Sequence, residues 1–575
     1  MFYLFVKSLA CLRHSPSALA FARSCDPWLY EAPHDPVFWS YAMAPSDVLA
    51  LPAARSYAGS PMVASRRALR VLVLLTVATL GPMGAARAEA PSGQMTLAHG
   101  ISIVPRWFDP AESEGLVTPF IFYYALHDAL VKPMPGNPMA PCLAESWSAA
   151  TDGLTYEFVL RKGVRFHNGD ALTADDVKFS FERYRGASAK TLKDYVAAVD
   201  VVDPHRVRFR LKRPWPDFMT FYGSPATGAA WIVPRKYLEK VGEEGFKKAP
   251  VGAGPYKLAS FKPGVELVLE ANEQYWRKTP SVKTLVVRSI PDEATRLAML
   301  KRGEADIAYV FRGALAEELR RSPGLTLKPY YLPLPLWYVF TEQWDPKSPW
   351  ADRRVRLAAN LAIDRPAVNQ AETLGLSKVT ASIIPQSFEF SWPAPLYPFD
   401  PKKAKQFLAE AGFPNGFEGG TITADLANAS YAEAVASYLA AVGIRVTIRP
   451  LERGAFFKEY QDKRLKQIVQ STSAAFGNAA TRLDAFVAEG GLFTYGTYPD
   501  IEALIRKQAT EPDRAKREAI LHRVQQLMHE KAMYAPLLEL AIPGGYGPRV
   551  AESGIGLITN MSSSAPYEDL RLKAK

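Results

Sequence analysis

The chain has 575 residues, 48% of them hydrophobic and 22% charged, a composition that excludes a disordered polymer and supplies roughly three to four domain-sized units with large cores. The formal net charge is +11, but basic residues are interleaved with acids rather than gathered on one face, which argues against nucleic-acid binding. The 46 prolines and 37 glycines are spread along the chain, with no low-complexity tract and no repeat of fixed period.

The first informative segment is Met62 to Ala88. Arg66, Arg67 and Arg70 precede a short apolar run, Val71 to Leu80, and Ala86-Arg87-Ala88 supplies a small-x-small cleavage pattern. A run of about ten apolar residues is half the ~20 that a membrane-spanning helix needs. The expectation is a signal peptide at 62–88, cleaved on export to the periplasm, with residues 1–61 an upstream extension from a miscalled start. No Cys follows the apolar run, so no lipid anchor is expected. Residues 1–88 hold eight basic and four acidic side chains, so the remaining 487 residues carry +7. Cys142 is then the single cysteine, read as a buried thiol, and stability must come from core burial.

The exported part reads as mixed α/β. Tyr156, Phe158 and Leu160 alternate on one face of a strand, as do Val207, Phe209 and Leu211, with Arg206, Arg208 and Arg210 on its solvent side. Thr173-Ala174-Asp175-Asp176 caps a helix carrying Val177, Phe181 and Tyr184. Leu267 and Leu269 mark another strand. Asp292 to Ala308 predicts a helix with Ala294, Leu297 and Leu300 inward, a stop at Gly303 and a strand at Ile307. Asp400-Pro401 opens a helix with Ala404, Phe407, Leu408 and Ala411 inward, ended by Gly412. From Tyr431 to Leu451, a helical stripe (Ala434, Val435, Tyr438, Leu439, Val442) breaks at Gly443 into an alternating strand, Ile444, Val446 and Ile448. Pro512 and Asp513 open a last long helix with Ile520, Val524, Leu527 and Met528 inward.

Motifs for chemistry are missing. Six histidines follow residue 88, and His522 and His529, seven residues apart, sit about 10.5 Å apart along a helix, too far for one metal ion. There is no HExxH, Cys/His cluster, EF-hand-like loop or G-x-S-x-G elbow. Gly252-Ala253-Gly254 lacks the Lys-Ser/Thr of a phosphate loop and reads as a turn. No metal, no cofactor and no enzymatic activity are expected.

Gly153 to Phe181, GLTYEFVLRKGVRFHNGDALTADDVKFSF, closely resembles the signature of the family 5 extracellular solute-binding proteins, the dipeptide, oligopeptide and nickel binding group. Pro250 to Trp276, Asp352 to Arg365, Phe399 to Phe417 and Ala535-Pro536-Leu537-Leu538 agree in order, so the resemblance spans the exported chain. It implies an α/β, two-lobe periplasmic binding protein fold of type II, large form, with an extra subdomain in the first lobe. Residues 89–340, completed by 536–575, would form lobe I and 341–535 lobe II, with crossings near Leu336 to Glu342 and Ala535 to Gly545. The implied function is a substrate-binding protein of an ABC importer, taking a short peptide or peptide-like polar solute between the lobes. Its partners would be that ligand and the membrane permease and ATPase, the protein itself being a monomer. The alternative is a ligand sensor for chemotaxis or signalling.

The motif residues themselves read as scaffold, His167 included. Peptide binders of this group resemble one another in a Trp-containing, Gly-Asp-rich segment whose Asp pairs with the peptide ammonium. The matching Gln470 to Val487, QSTSAAFGNAATRLDAFV, has no Trp and no Asp-Pro, and Asp484 is offset. Candidate ligand contacts are therefore Arg482, Asn428 and Asn478, suited to a carboxylate or polar ligand, and the aromatics Trp107, Phe108, Trp337, Tyr338, Tyr431 and Phe476.

Overall fold

The computed structural model describes residues 90–574 apart from 114–117, 224–225, 475–476, 510, 512, 560 and 562–563. The expected extension at 1–61 and signal peptide at 62–88 lie outside the described residues, as do Pro512 and Phe476.

One large mixed sheet runs through the molecule. Its strands lie in the order Tyr256–Lys262, Glu266–Ala271, Val282–Ser289, Ser92–His99, Ile307–Tyr309, Tyr534–Tyr546, Thr326–Phe340, Ile468–Thr472, Phe417–Asp425 and Ile444–Leu451, with Lys378–Val379 paired to Tyr534–Tyr546. Ser92–His99 is parallel to both Val282–Ser289 and Ile307–Tyr309. Phe417–Asp425 is parallel to Ile444–Leu451 and Ile468–Thr472. Between these two parallel groups stand the long antiparallel pair Thr326–Phe340 and Tyr534–Tyr546. Helix-to-strand returns cover the sheet, as the parallel pairing requires.

Separate cores form on either side of that pair. One gathers Met95, Leu97, Phe122, Phe158, Phe209, Leu267 and Tyr309, joining the first parallel group to a four-stranded antiparallel sheet built from Ala144–Ala149, Thr155–Leu160, Arg206–Leu211 and Val196–Asp203. Beyond it, Leu336, Tyr338 and Phe340 face one core with Val355, Leu408, Ile422 and Leu439, while Trp337 and Val339 face another with Leu483, Phe486, Leu521 and Val524. The strand's period of two thus divides the second lobe into two layers on one sheet.

The crossing strands pair regularly from Thr326↔Tyr546 to Tyr331↔Ala541, then resume at Pro335↔Glu539. Three residues, Leu332 to Leu334, are looped out opposite Leu540. Pro329, Pro333 and Pro335 have no N–H to give a ladder, which explains why pairing weakens there. This break sits a few residues before the crossing expected at Leu336.

Local signals agree in most places. Thr173 and Asp176 form a capping box on Ala174–Arg183, Asp400 caps Pro401–Glu410 through Lys403 N at 2.9 Å, and Gly443 turns at φ 101° between Ala429–Ala441 and Ile444–Leu451. The basic face of Arg206–Leu211 is neutralised: Arg208 meets Glu157 at 2.7 Å and Arg210 meets Asp200 at 2.6 Å. Two stripes are corrected. Ala294 is exposed, and Arg296 points inward instead because four backbone carbonyls receive it. In Arg514–Glu530, Ile520 is half-buried and off the core, Leu527 packs half-buried against it, and Leu521 and Arg517 take the inner face with Val524 and Met528.

The family-like blocks are occupied structurally. His167 Nε2 donates to Gly254 O at 3.0 Å, and its Nδ1 accepts from Gly252 N at 3.2 Å. Gly252 must be glycine, since a Cβ there would stand 1.9 Å from Leu126 O. Tyr275 and Trp276 donate to buried Asp128 at 2.9 and 2.8 Å. Cys142 is a buried free thiol, pushed up to about 12 by burial.

Burial pushes His167 from 6.5 down to about 3, so the folded ring stays neutral. Above pH ~6.5 both states are neutral and nothing is lost. As pH falls below that, the unfolded chain gains a proton that folded His167 refuses, and stability declines by up to about 1.4 kcal/mol per pH unit. Urea midpoints measured from about pH 7 to 4 should show this decline, and His167→Gln should shallow it by about one proton.

Candidate functional site

Ligands of open α/β sheets bind outside the carboxyl ends of parallel strands, at a point where the connections diverge. Both parallel groups here present those ends toward the region of the crossing strands. On the first side, strand Ser92–His99 ends in a histidine stacked on Tyr309, centroids 4.2 Å apart. Arg296 ties Ile290, Pro291, Tyr309 and Val310 together through their carbonyls at 2.7–3.0 Å, so the ends of two strands are held as one unit.

On the second side the strands end at Asp425 and Thr472, and the candidate residues divide between the two faces of the sheet. On one face Tyr338 donates to Tyr431 O at 3.0 Å, and Gln470 Nε2 donates to Tyr338 Oη at 3.2 Å and to Asn428 O at 3.0 Å. Tyr431 is half-buried; burial, then the charge of Glu372, push its hydroxyl up to about 12, against an opposing pull from Arg312. Arg312 follows strand Ile307–Tyr309 of the first lobe, whereas Glu372 lies on Arg365–Thr373 of the second. Tyr431 therefore lies within electrostatic reach of a charge from either side of the crossing strands, and Glu372 accepts from its neighbour Ser430 at 2.7 Å.

On the other face is Arg482, 3% exposed on helix Ala479–Phe486. Its guanidinium lies 5.7 Å from the ring centre of Trp337, 5.6 Å from Phe388 and 5.5 Å from Phe486. Nη2 donates to Pro333 O and Ser473 O, both at 3.3 Å. Pro333 belongs to the looped-out segment of the crossing strand, and Ser473 follows the carboxyl end of Ile468–Thr472. Burial lowers the Arg482 pKa to about 9, offset in part by the charge of Glu539. Glu539, buried in the second crossing strand, accepts from Gln386 N at 2.6 Å.

The remaining candidates fall elsewhere. Phe108 is wholly buried, edge-on to Phe122 and Phe261, and it offers no surface; Trp107 beside it is half-buried, stacked on Phe122 at 5.9 Å. Asn478 is buried and spends its side chain on helix capping: Oδ1 accepts from Thr481 N at 3.2 Å, while Thr481 Oγ1 accepts from Asn478 N at 2.9 Å. Glu539, Gln386, Phe388 and Gln470 stand beside the candidates, the last three without any mark in the sequence pattern. A lone carboxylate inside the apolar Tyr534–Ala541 run was the available signal for Glu539.

A second bridge joins the lobes. Asp217, wholly buried at the edge of the first core, meets Arg517 of helix Arg514–Glu530 at 3.5 Å. Burial holds Asp217 well above the usual carboxylate range despite Arg517, with Glu389 and Asp484 adding to the rise.

Comparison with known proteins bears on what this cleft serves. The family described as "Bacterial extracellular solute-binding proteins, family 5 Middle" matches residues 138–493. The chain is 30% identical over 426 residues to the glutathione-binding protein GsiB of Escherichia coli O1:K1 / APEC, covering 69% of this chain and 80% of that protein. It is 27% identical over 482 residues to a probable di/tripeptide-binding protein 5 of Pseudomonas aeruginosa, covering 78% and 90%. Among solved structures, the periplasmic binding protein DppA of Helicobacter pylori in complex with peptide STSA is similar at 26% identity and TM-score 0.61, covering 84% of this chain and 98% of that one.

The capping geometry yields a prediction for Asn478. Asn478→Ala should lower the unfolding free energy by about 1 kcal/mol, read from urea titrations, because the Oδ1 that accepts from Thr481 N is lost.

Proposed function

The chain belongs to the bacterial extracellular solute-binding proteins of family 5, and from that premise we propose that its ligand is a short peptide or peptide-like polar solute held between the two lobes. The protein is a substrate-binding component of an ABC importer, with the two-lobe fold of that family. The observation that supports the peptide reading is that backbone carbonyls, aromatic faces and both charge signs lie at the carboxyl ends of the strands, where Tyr431 is within electrostatic reach of Arg312 and Glu372. The named relatives, a glutathione-binding protein, a di/tripeptide-binding protein and a peptide-bound DppA, support it.

The lobes are read as 89–340 with 536–575, and 341–535, with the paired ends Leu336–Phe340 and 536–540 of the two crossing strands packing into the second lobe's cores and the hinge placed where Leu332 to Leu334 leave the ladder. Closure about such a hinge is a motion described for periplasmic binding proteins generally. A ligand stabilises the closed form by its differential affinity for it, and the closed form is what a permease and its ATPase would recognise. Export by a cleaved signal peptide at 62–88, without a lipid anchor, and a monomeric state complete the proposal. No catalytic step is assigned to the protein; its named relatives are binding proteins.

A thermal-shift screen of the purified exported protein tests the ligand class. Glutathione and di- and tripeptides should raise the unfolding temperature, a ligand at about 100 times its Kd adding about 2.7 kcal/mol. A shift from sugars or other non-peptide solutes with none from any peptide would overturn the peptide reading.

A further inference from the structure

The second lobe contains two fully engaged buried arginines, Arg356 and Arg365, that serve as a reference together with Arg296 of the first. Arg356 donates to the carbonyls of Trp350, Ala351, Lys531 and Ala532 and to Tyr498 Oη, at 2.7–3.1 Å. Arg365 donates to Pro536 O, Asn360 O and Asn360 Oδ1 at 2.7–2.9 Å. Arg517 bonds Gln508 Oε1 at 3.0 Å and faces Asp217. In Arg356 and Arg365, as in Arg296, all three guanidinium nitrogens are used.

Arg482 departs from this pattern. It is as deeply buried, but its two contacts are long, both come from Nη2, and Nη1 has no hydrogen-bond partner. Among the described residues no carboxylate stands within 4.0 Å of it; Glu539 acts on it from farther away and is engaged by Gln386. Neighbouring donors on the same sheet face are likewise unmatched: the indole Nε1 of Trp337 and the hydroxyl of Ser471, which sit opposite each other in register. Nearly all buried polar groups in proteins find partners, and a buried cation needs an anion most of all. A set of unsatisfied donors with a guanidinium among aromatic faces, between the hinge loop and a strand's carboxyl end, has the chemistry of a carboxylate site.

We propose that Arg482 is the anion-recognising residue of the ligand cleft, its Nη1 receiving a carboxylate of the bound solute with Trp337 and Ser471 beside it. This deepens the peptide reading and rests on it for the location of the cleft. A carboxylate from a peptide C-terminus and one from an acidic side chain share this chemistry.

The test is isothermal titration of the full exported protein with matched ligands. The set comprises glutathione and dipeptides, their C-terminal amides, Glu-to-Gln counterparts, and small non-peptide carboxylic acids with their amides. Neutralising the recognised carboxylate should weaken binding about 10- to 100-fold, the range for one charge-assisted hydrogen-bonding contact. Which substitution does so identifies the source. Arg482→Met should bind acid and amide equally, and Arg482→Lys should restore part of the preference. Equal affinities for acid and neutral forms in the unaltered protein would overturn the proposal, whether or not the variants fold, as would a panel in which no carboxylate binds. If non-peptide acids bind and peptides do not, the peptide reading falls while Arg482 keeps its role.

Discussion

The structure depends on one constraint: two antiparallel strands, Thr326–Phe340 and Tyr534–Tyr546, are shared by both lobes. Each lobe builds its own parallel group outward from this pair, so neither can complete its sheet without the other. A continuous ladder would make the molecule rigid, since a register slip would turn every side chain to the wrong face. The looped-out Leu332 to Leu334 relieve this. Prolines on both sides of the gap lack the N–H groups that would close it, so the gap costs few hydrogen bonds beyond those the sequence has already forgone.

A second device keeps the strand ends in place around that hinge. Arg296 and Arg365 reach backbone carbonyls next to, or on, the sheet strands, and Arg356 ties the turn Lys531–Ala532 before the second crossing strand to Trp350 and Ala351. A guanidinium presents five donors in a rigid plane, which suits chain ends whose carbonyls have lost their helical or ladder partners. The charge is dispersed over several carbonyl dipoles, and no partner carboxylate is needed. Against that background Arg482 differs in kind, having the burial of a structural arginine without its contacts.

Much of the scaffold was legible because its signals are local. The capping box at Thr173, Asp400-Pro401 and the helix–Gly443–strand unit need only neighbours within one or two turns, and the structure has them all. The errors arose where burial is decided by partners far along the chain. Arg296 counts as solvent-facing in any hydrophobic pattern, yet carbonyls at Val310 and Ile290 draw it inward and leave Ala294 outside. Glu539 and Gln386 reach each other over 153 residues, and no periodicity reports that. Arg482 was visible as the wrong charge for the segment, while its aromatic surroundings were not.

The buried pair Asp217–Arg517 and the buried Arg482 are electrostatically unlike. Asp217 and Arg517 are both buried but 3.5 Å apart, and the carboxyl group remains raised well above its ordinary range. Burial thus outweighs Arg517 in setting the state of the acid, and buried pairs in general add little net stability. A tight interlobe ion pair would close the lobes without cargo and leave a ligand nothing to do. A loose one tolerates closure, and the larger share of its free energy must come from the solute. In the role proposed for Arg482 the opposite would hold: the aromatic faces keep water away, lowering the local dielectric, so that an anion would gain more there than at the surface. A closed state that is barely favoured empty and strongly favoured around its ligand is what delivery to a transporter requires.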